Sequence, residues 1–385
     1  MNPTATAYVG VEIFDGHKRH KNSALVVESG RVERILPADD LPGNSKLIAL
    51  EGGTLAPGLV DLQVNGGGGV MLNNAPDADT IATMCRANGR CGTTSILPTL
   101  ITDTPDQTRA AIAAVRDAIS EGIVGVAGLH LEGPHLSVAR KGAHDPKLIR
   151  PMEDADCRAL EEVARELPSL LLTVAPESVT PDQVGRLAAA GIIVSLGHTD
   201  CSFQTAKDYA RSGATCVTHL FNAMSQLGNR EPGLVGAVLD CADLSAGLIA
   251  DGFHSDPASI RIALKAKRGP GRIFLVSDAM ATIDSDIASF NLNGRRISRG
   301  QGRLTLDDGT LAGADIDLMS AVRFMVDSIG LDQDEALRMA TLNPAQVLGR
   351  SADIGQLAEG RSADFILFDN ALQIQQVWRQ GSPIL

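Results

Sequence analysis

Short apolar runs recur through the middle of the chain, and the residues between them switch to a longer period. Runs at 59–65, 93–99, 126–133, 170–177, 192–198, 216–222, 244–252 and 273–279 are rich in aliphatic residues and close on polar or glycine-bearing tips. Each has the length of a buried strand. Between them lie alanine-rich segments such as Thr108-Arg109-Ala110-Ala111-Ile112-Ala113-Ala114-Val115, with apolar residues at the spacing of a surface helix. Strands and helices in alternation build parallel sheets. Eight repeats predict a closed (β/α)8 barrel of the TIM type rather than an open doubly wound sheet. Gly66-Gly67-Gly68-Gly69 opens no helix, so no dinucleotide fingerprint competes with that reading.

The two ends have a different texture. Val9-Gly10-Val11-Glu12-Ile13-Phe14 and Ser23-Ala24-Leu25-Val26-Val27 near the start resemble Ala363-Asp364-Phe365-Ile366-Leu367-Phe368 and Gln375-Gln376-Val377-Trp378 near the finish. All are short β-type runs broken by turn residues. The expectation is one small β-sandwich domain built from both ends, residues 1–56 and 350–385, around a barrel at 57–349. Residues 284–313 break the βα rhythm with turn-rich segments (Asn291-Leu292-Asn293-Gly294, Leu304-Thr305-Leu306-Asp307-Asp308-Gly309). They predict a β-hairpin lid over the barrel mouth.

Composition narrows the partners. The chain has 385 residues and a net charge of −12, which argues against nonspecific nucleic-acid binding and requires a local basic pocket for any anionic substrate. Six cysteines lack Cys-x-x-Cys spacing and predict reduced, mostly buried thiols. The N-terminus shows no basic-then-apolar segment, and no apolar run reaches the length of about 18 residues that a membrane helix needs. The expectation is a cytoplasmic protein without a membrane partner.

In such a barrel the strand C-termini converge on one mouth, where chemistry is done. Glu132 in His130-Leu131-Glu132-Gly133-Pro134, His198 in Leu196-Gly197-His198-Thr199 and His219 in Thr218-His219-Leu220-Phe221-Asn222 occupy three such tips. A strand-end histidine alone is more often a structural hydrogen bonder, but one Glu and two His together form a ligand set for one divalent ion, zinc by preference. Asp278 in Val276-Ser277-Asp278-Ala279 adds an unattached carboxylate, either the base that moves a water's proton or a helix cap.

His-Leu-Glu-Gly-Pro at 130–134, Gly-His-Thr at 197–199, Thr-His-Leu-Phe-Asn-Ala-Met at 218–224, Asp-Gly-Phe-His at 251–254 and Ser-Asp-Ala at 277–279 resemble the N-acetylglucosamine-6-phosphate deacetylase family of the amidohydrolase superfamily. The resemblance runs from Ala56-Pro57-Gly58 to Gly360-Arg361-Ser362-Ala363-Asp364, nearly the whole chain. It implies removal of acetate from N-acetylglucosamine 6-phosphate, with His144 polarising the acetamide carbonyl and Asp278 moving protons. By the same resemblance Ala143, Asn222, Ala223, Arg230, Asp251 and His254 hold the sugar phosphate, and Leu311, Ala312 and Gly313 of the lid lie against the sugar. It also implies a homodimer in which Arg230 reaches the neighbouring site; the alternative is a solvated loop charge. Many amidohydrolases carry His-x-His at the first strand end, whereas this chain has Gln63-Val64-Asn65, a departure that favours a single metal. His135 stands where similar enzymes carry an aromatic, and its role stays open. N-acetylgalactosamine 6-phosphate is an alternative substrate, and a catalytically silent barrel scaffold is the alternative from another class.

Overall fold

The structure, a computed structural model, describes residues 5–385. Its centre is a sheet of eight parallel strands: β1 (Leu59–Val64), β2 (Thr93–Ile101), β3 (Leu129–Glu132), β4 (Leu170–Val174), β5 (Ile193–Leu196), β6 (Cys216–Val217), β7 (Ser245–Leu248) and β8 (Ile273–Leu275). Neighbours in sequence are neighbours in the sheet. The ends meet where Val64 pairs with Ala279 and the Asn65 N–H donates to the Ala279 carbonyl at 2.8 Å. The expected (β/α)8 barrel is therefore closed; seven strands fall inside the runs picked from the sequence, and β2 runs two residues past its run, to Ile101.

Several strands stop short of the predicted ends. The runs at 192–198, 216–222 and 273–279 leave the sheet at Leu196, Val217 and Leu275. Just beyond, His198 (φ 47°), His219 (φ 31°) and Asp278 (φ 50°) adopt left-handed backbone, which a ladder cannot continue. Non-glycine residues in that region cost free energy and cluster at functional sites.

The helices follow from capping and periodicity. Between β2 and β3, α1 (Pro105–Ser120) starts at Thr104, whose hydroxyl accepts the Gln107 N–H, with Pro105 in the first turn. It buries Ala111, Ile112, Ala114, Val115 and Ala118 on one face against the barrel. In β3, Leu129 and Leu131 pack into this helix–sheet layer, while His130 and Glu132 alternate to the other side.

The layer beneath the mouth is polar and internally satisfied. His130 joins the Leu62 carbonyl (3.0 Å) and Thr173 (2.8 Å), and Thr173 meets Thr218, which meets Ser195, each at 2.7 Å. Burial pushes the His130 pKa down to about 4, so it stays neutral in this network. Asp61 accepts the Gln63 and Ser277 N–H groups and so ties the first strand to the segment after the eighth.

Two further sheets flank the barrel, the first built from the N-terminal part alone and the second from both chain ends. One comprises Arg31–Pro37, Ser23–Glu28, Thr6–Val9 and Lys46–Ala49; the other runs from Ser382–Pro383 through Ile374–Arg379, Phe365–Phe368, Thr54–Pro57 and Glu12–Phe14 to Arg19–His20. At their shared core Phe365 stacks on Trp378 and Tyr8 meets both rings edge-on. After β8, the expected hairpins prove to be a four-stranded antiparallel meander: β9 (Ser289–Leu292), β10 (Arg295–Gly300), β11 (Arg303–Thr305) and β12 (Leu311–Ala314). It is anchored by the Ala314 N–H on the Asp278 carbonyl, 3.0 Å, and packs on Met71, Ile101 and Met280. All six cysteines are free, and among the described residues no helix is long and apolar enough to cross a membrane.

Asp61 generates a stability prediction. Burial, aggravated by the charge of Asp278, raises its pKa to about 7, against about 3.9 in an unfolded chain. The folded state therefore holds the proton more tightly, and the stability this contributes is lost as pH rises from about 4 toward 7. Denaturant titrations of wild type and Asp61→Asn across that window should show the wild type losing stability relative to the variant; parallel curves would refute the assignment.

Candidate active site

Glu132 ends β3, His198 follows β5 and His219 follows β6. Their ligand atoms converge: Glu132 Oε1 lies 3.2 Å from His198 Nε2 and 3.1 Å from His219 Nε2, and the two nitrogens are 3.0 Å apart. Ligand atoms of one tetrahedral ion, at bonds of about 2.0–2.2 Å, stand roughly 3.3 Å from one another. The triad is the one potential metal-binding group of three or more His, Cys, Asp or Glu found among the described residues. His198 Nδ1 faces the Arg140 carbonyl at 2.8 Å. A carbonyl only accepts, so Nδ1 carries the proton and Nε2 turns a lone pair to the centre. The donor set fits a divalent ion.

The charges around the triad reinforce this. Burial works against ionisation of Glu132, but the hydrogen bonds and charges of His198 and His219 outweigh it and hold the carboxyl well below its usual value. Asp278 is pushed up to about 6, first by burial and then by the charge of Glu132. Asn65 Nδ2 donates to Asp278 Oδ1 at 2.7 Å; Gln63 Nε2 lies 3.2 Å from both that oxygen and Glu132 Oε1. The His-x-His positions are thus occupied by amides that orient the two carboxylates. From sequence these two positions read only as a missing second metal site, although their alternation at the end of β1 places both on one face.

A cavity of about 250 Å³ opens on this centre, lined by Glu132, His198, His219, Asp278, Asn65, Ala143, His144, Asn222, Ala223, His254, Leu311 and Gly313, together with Ile101, Gly142, Ile249, Met280, Leu292 and Thr310. The His144 ring packs edge-on against His198, centroids 4.3 Å apart. Burial, with His198 beside it, keeps its pKa well below the usual histidine value. His254 is held by Asp251, whose Oδ2 lies 2.6 Å from Nδ1 and whose Oδ1 accepts the Phe253 and His254 N–H groups.

Three predicted residues are placed differently. Asp251 stands behind His254 rather than on the cavity wall. Ala312 is fully buried in the core under the lid, because alternate residues of β12 face opposite ways: Leu311 and Gly313 line the cavity and Ala312 turns inward. Its side chain cannot touch a ligand there. Arg230 is exposed on the loop after β6 and lies outside the cavity.

Residues 54–384 match the Amidohydrolase family. The chain belongs to that family. Among amidohydrolase relatives, an N-acetylgalactosamine-6-phosphate deacetylase of Shewanella sp. (strain ANA-3) is 41% identical over 86% of this chain and 83% of its own length. An N-acetylglucosamine-6-phosphate deacetylase of Haemophilus influenzae is 33% identical over 96% of both. The crystal structure of N-acetylglucosamine-6-phosphate deacetylase from Pasteurella multocida superposes with a TM-score of 0.94 at 35% identity, over 98% of this chain and 99% of that one.

The triad predicts that replacing His198 or His219 by alanine empties the site. Elemental analysis should find about one divalent ion per wild-type chain and far less in either variant. Equal metal content in all three would refute the assignment.

Proposed function

We propose that this amidohydrolase hydrolyses the acetamide of N-acetylglucosamine 6-phosphate, giving acetate and glucosamine 6-phosphate, with residues 57–349 as its catalytic unit and the cytoplasm as its compartment. The observation that carries the reading is the convergence of Glu132, His198 and His219 beside Asp278, which is held by Asn65 and Gln63 without joining the triad. A zinc ion on the triad would acidify a water and polarise the acyl oxygen. Asp278 accepts the water's proton and returns it to the departing nitrogen, so the amine leaves neutral. His144 donates to the acyl oxygen as negative charge develops there.

Ala143, Asn222, Ala223 and His254 line the sugar side, with Leu311 and Gly313 closing over it. No lysine or arginine of the described residues lines the cavity, yet a phosphate dianion calls for a fork of donors such as Arg supplies. This supports a homodimer in which Arg230 of one copy completes the site of the other. A second reading, N-acetylgalactosamine 6-phosphate as the preferred substrate, is favoured by the 41% identical relative of that name. Acetate release from both epimers, with and without the phosphate, decides between them; failure on every phosphorylated sugar would overturn the proposal.

Asp278→Asn should keep its metal and lose roughly 10²–10⁴ in kcat. The base must be ionised, so wild-type activity falls as pH drops through the Asp278 pKa. That pKa lies at or below about 6, since a cation on the triad draws it down. A variant that keeps its metal and loses less than about fivefold would relegate Asp278 to a strand cap. Arg230→Ala should weaken use of the phosphorylated sugar by about 10- to 150-fold, the worth of a charge-assisted contact of roughly 1.5–3 kcal/mol. Mixing the impaired Arg230→Ala and Asp278→Asn chains should restore a fraction of sites to wild-type use of the phosphorylated sugar; no recovery from exchanged subunits would refute the shared site.

A further inference from the structure

We infer that Thr102, the residue after β2, is a positioning residue that fixes His144 in its Nε2–H form, so that a neutral imidazole presents a proton donor to the cavity. The proposal rests on the deacetylase reading for its catalytic consequence but not for its structural content.

Both polar groups of Thr102 meet the same nitrogen. Its hydroxyl lies 2.7 Å from His144 Nδ1, and its backbone N–H points at that atom from 3.3 Å. A backbone N–H only donates, so Nδ1 must offer a lone pair; a proton there would face another proton. The hydroxyl hydrogen has one other acceptor in reach, the Glu132 carbonyl at 3.4 Å, and the shorter contact is to the imidazole. Thr102 and His144 are 1% and 3% exposed, so water does not compete for this bond. Glycine at 133 gives the hydroxyl its room: a Cβ there would lie 2.2 Å from Thr102 Oγ1.

The contrast with His198 makes the point chemical. The two rings touch edge to face, yet their Nδ1 atoms face opposite partners. His198 Nδ1 meets the Arg140 carbonyl, an acceptor, and His144 Nδ1 meets the Thr102 N–H, a donor. One histidine therefore turns a lone pair inward and can ligate; the other turns N–H inward and can stabilise an oxyanion. With the opposite tautomer, His144 would aim a lone pair at the acyl oxygen and compete as a ligand. The partner of Nδ1 thus sorts adjacent histidines into ligand and donor.

The test uses the metal-loaded full chain and N-acetylglucosamine 6-phosphate. Thr102→Val removes the shorter hydrogen bond and should lower kcat about tenfold with KM and metal content unchanged; Thr102→Ser should restore turnover to within about twofold. His144→Gln, whose amide nitrogen approximates Nε2, should retain more turnover than His144→Asn, whose amide approximates Nδ1. Nitrogen-15 NMR of the substrate-free protein, with the His144 signals assigned by their loss in His144→Gln, should show Nδ1 unprotonated and Nε2 protonated. A protonated Nδ1, or a folded Thr102→Val variant with wild-type kcat, would overturn the inference. Should Thr102→Val not fold, the NMR and the Gln/Asn pair decide it. A wild type inactive on the substrate sinks the deacetylase reading alone, because the NMR result stands apart from turnover.

Discussion

The buried charge of Glu132 sets the terms for the whole mouth of the barrel. A carboxylate that is 2% exposed is tolerable only with compensating charge or hydrogen bonds. His198, His219 and the Gln63 amide surround it at 3.1–3.2 Å. Asp278 is the second carboxylate in the same enclosure, bridged to the first by Gln63. Two buried anions this close repel, and the response differs for each: Glu132 stays strongly acidic while Asp278 is pushed up to about 6. That separation of acidities suits one as a ligand and the other as a proton carrier.

Backbone geometry delivers these side chains. His198, His219 and Asp278 leave their strands through left-handed residues, which ends the ladder and turns the chain over the mouth. Beneath them, His130, Thr173, Thr218 and Ser195 satisfy one another through hydrogen bonds of 2.7–2.8 Å. A rigid, satisfied floor holds strand tips to the tolerance that ligand geometry demands. The barrel is closed on the same side by backbone bonds between Asn65 and Ala279, next to the amide and the carboxylate that meet there. Closure of the fold and assembly of the site are therefore one event.

The lid extends this economy of attachment. The strand after Asp278 carries the β9–β12 meander, and its last strand returns to bond the Asp278 carbonyl through Ala314. Leu311 and Gly313 thereby line the same cavity as Asp278. The hairpin tip between β9 and β10 reaches the segments after β3 and β2, where the Arg295 guanidinium donates to the Ala143 carbonyl and Asn293 to the Thr102 carbonyl. The lid spans the two sides of the cavity and is tied at both.

Much of this was legible in the chain itself. Eight aliphatic runs with helical spacers determined the barrel, because a parallel strand buried on both faces needs an unbroken apolar run and a crossover helix needs its own stripe. The polar residues that end those runs marked Glu132, His198, His219 and Asp278, since strand C-termini share one mouth. Tertiary structure alone decided the rest. Gln63 and Asn65 read as a missing pair of ligands until closure brought them onto Glu132 and Asp278. Sequence placed Ala312 in the lid, but only the register of β12 sent its methyl group into the lid core. The tautomers of His144 and His198 depend on a donor and an acceptor supplied from elsewhere in the chain. Periodicity is a local property of sequence, whereas the partner of a side-chain nitrogen is set by which distant segments the closed barrel brings together.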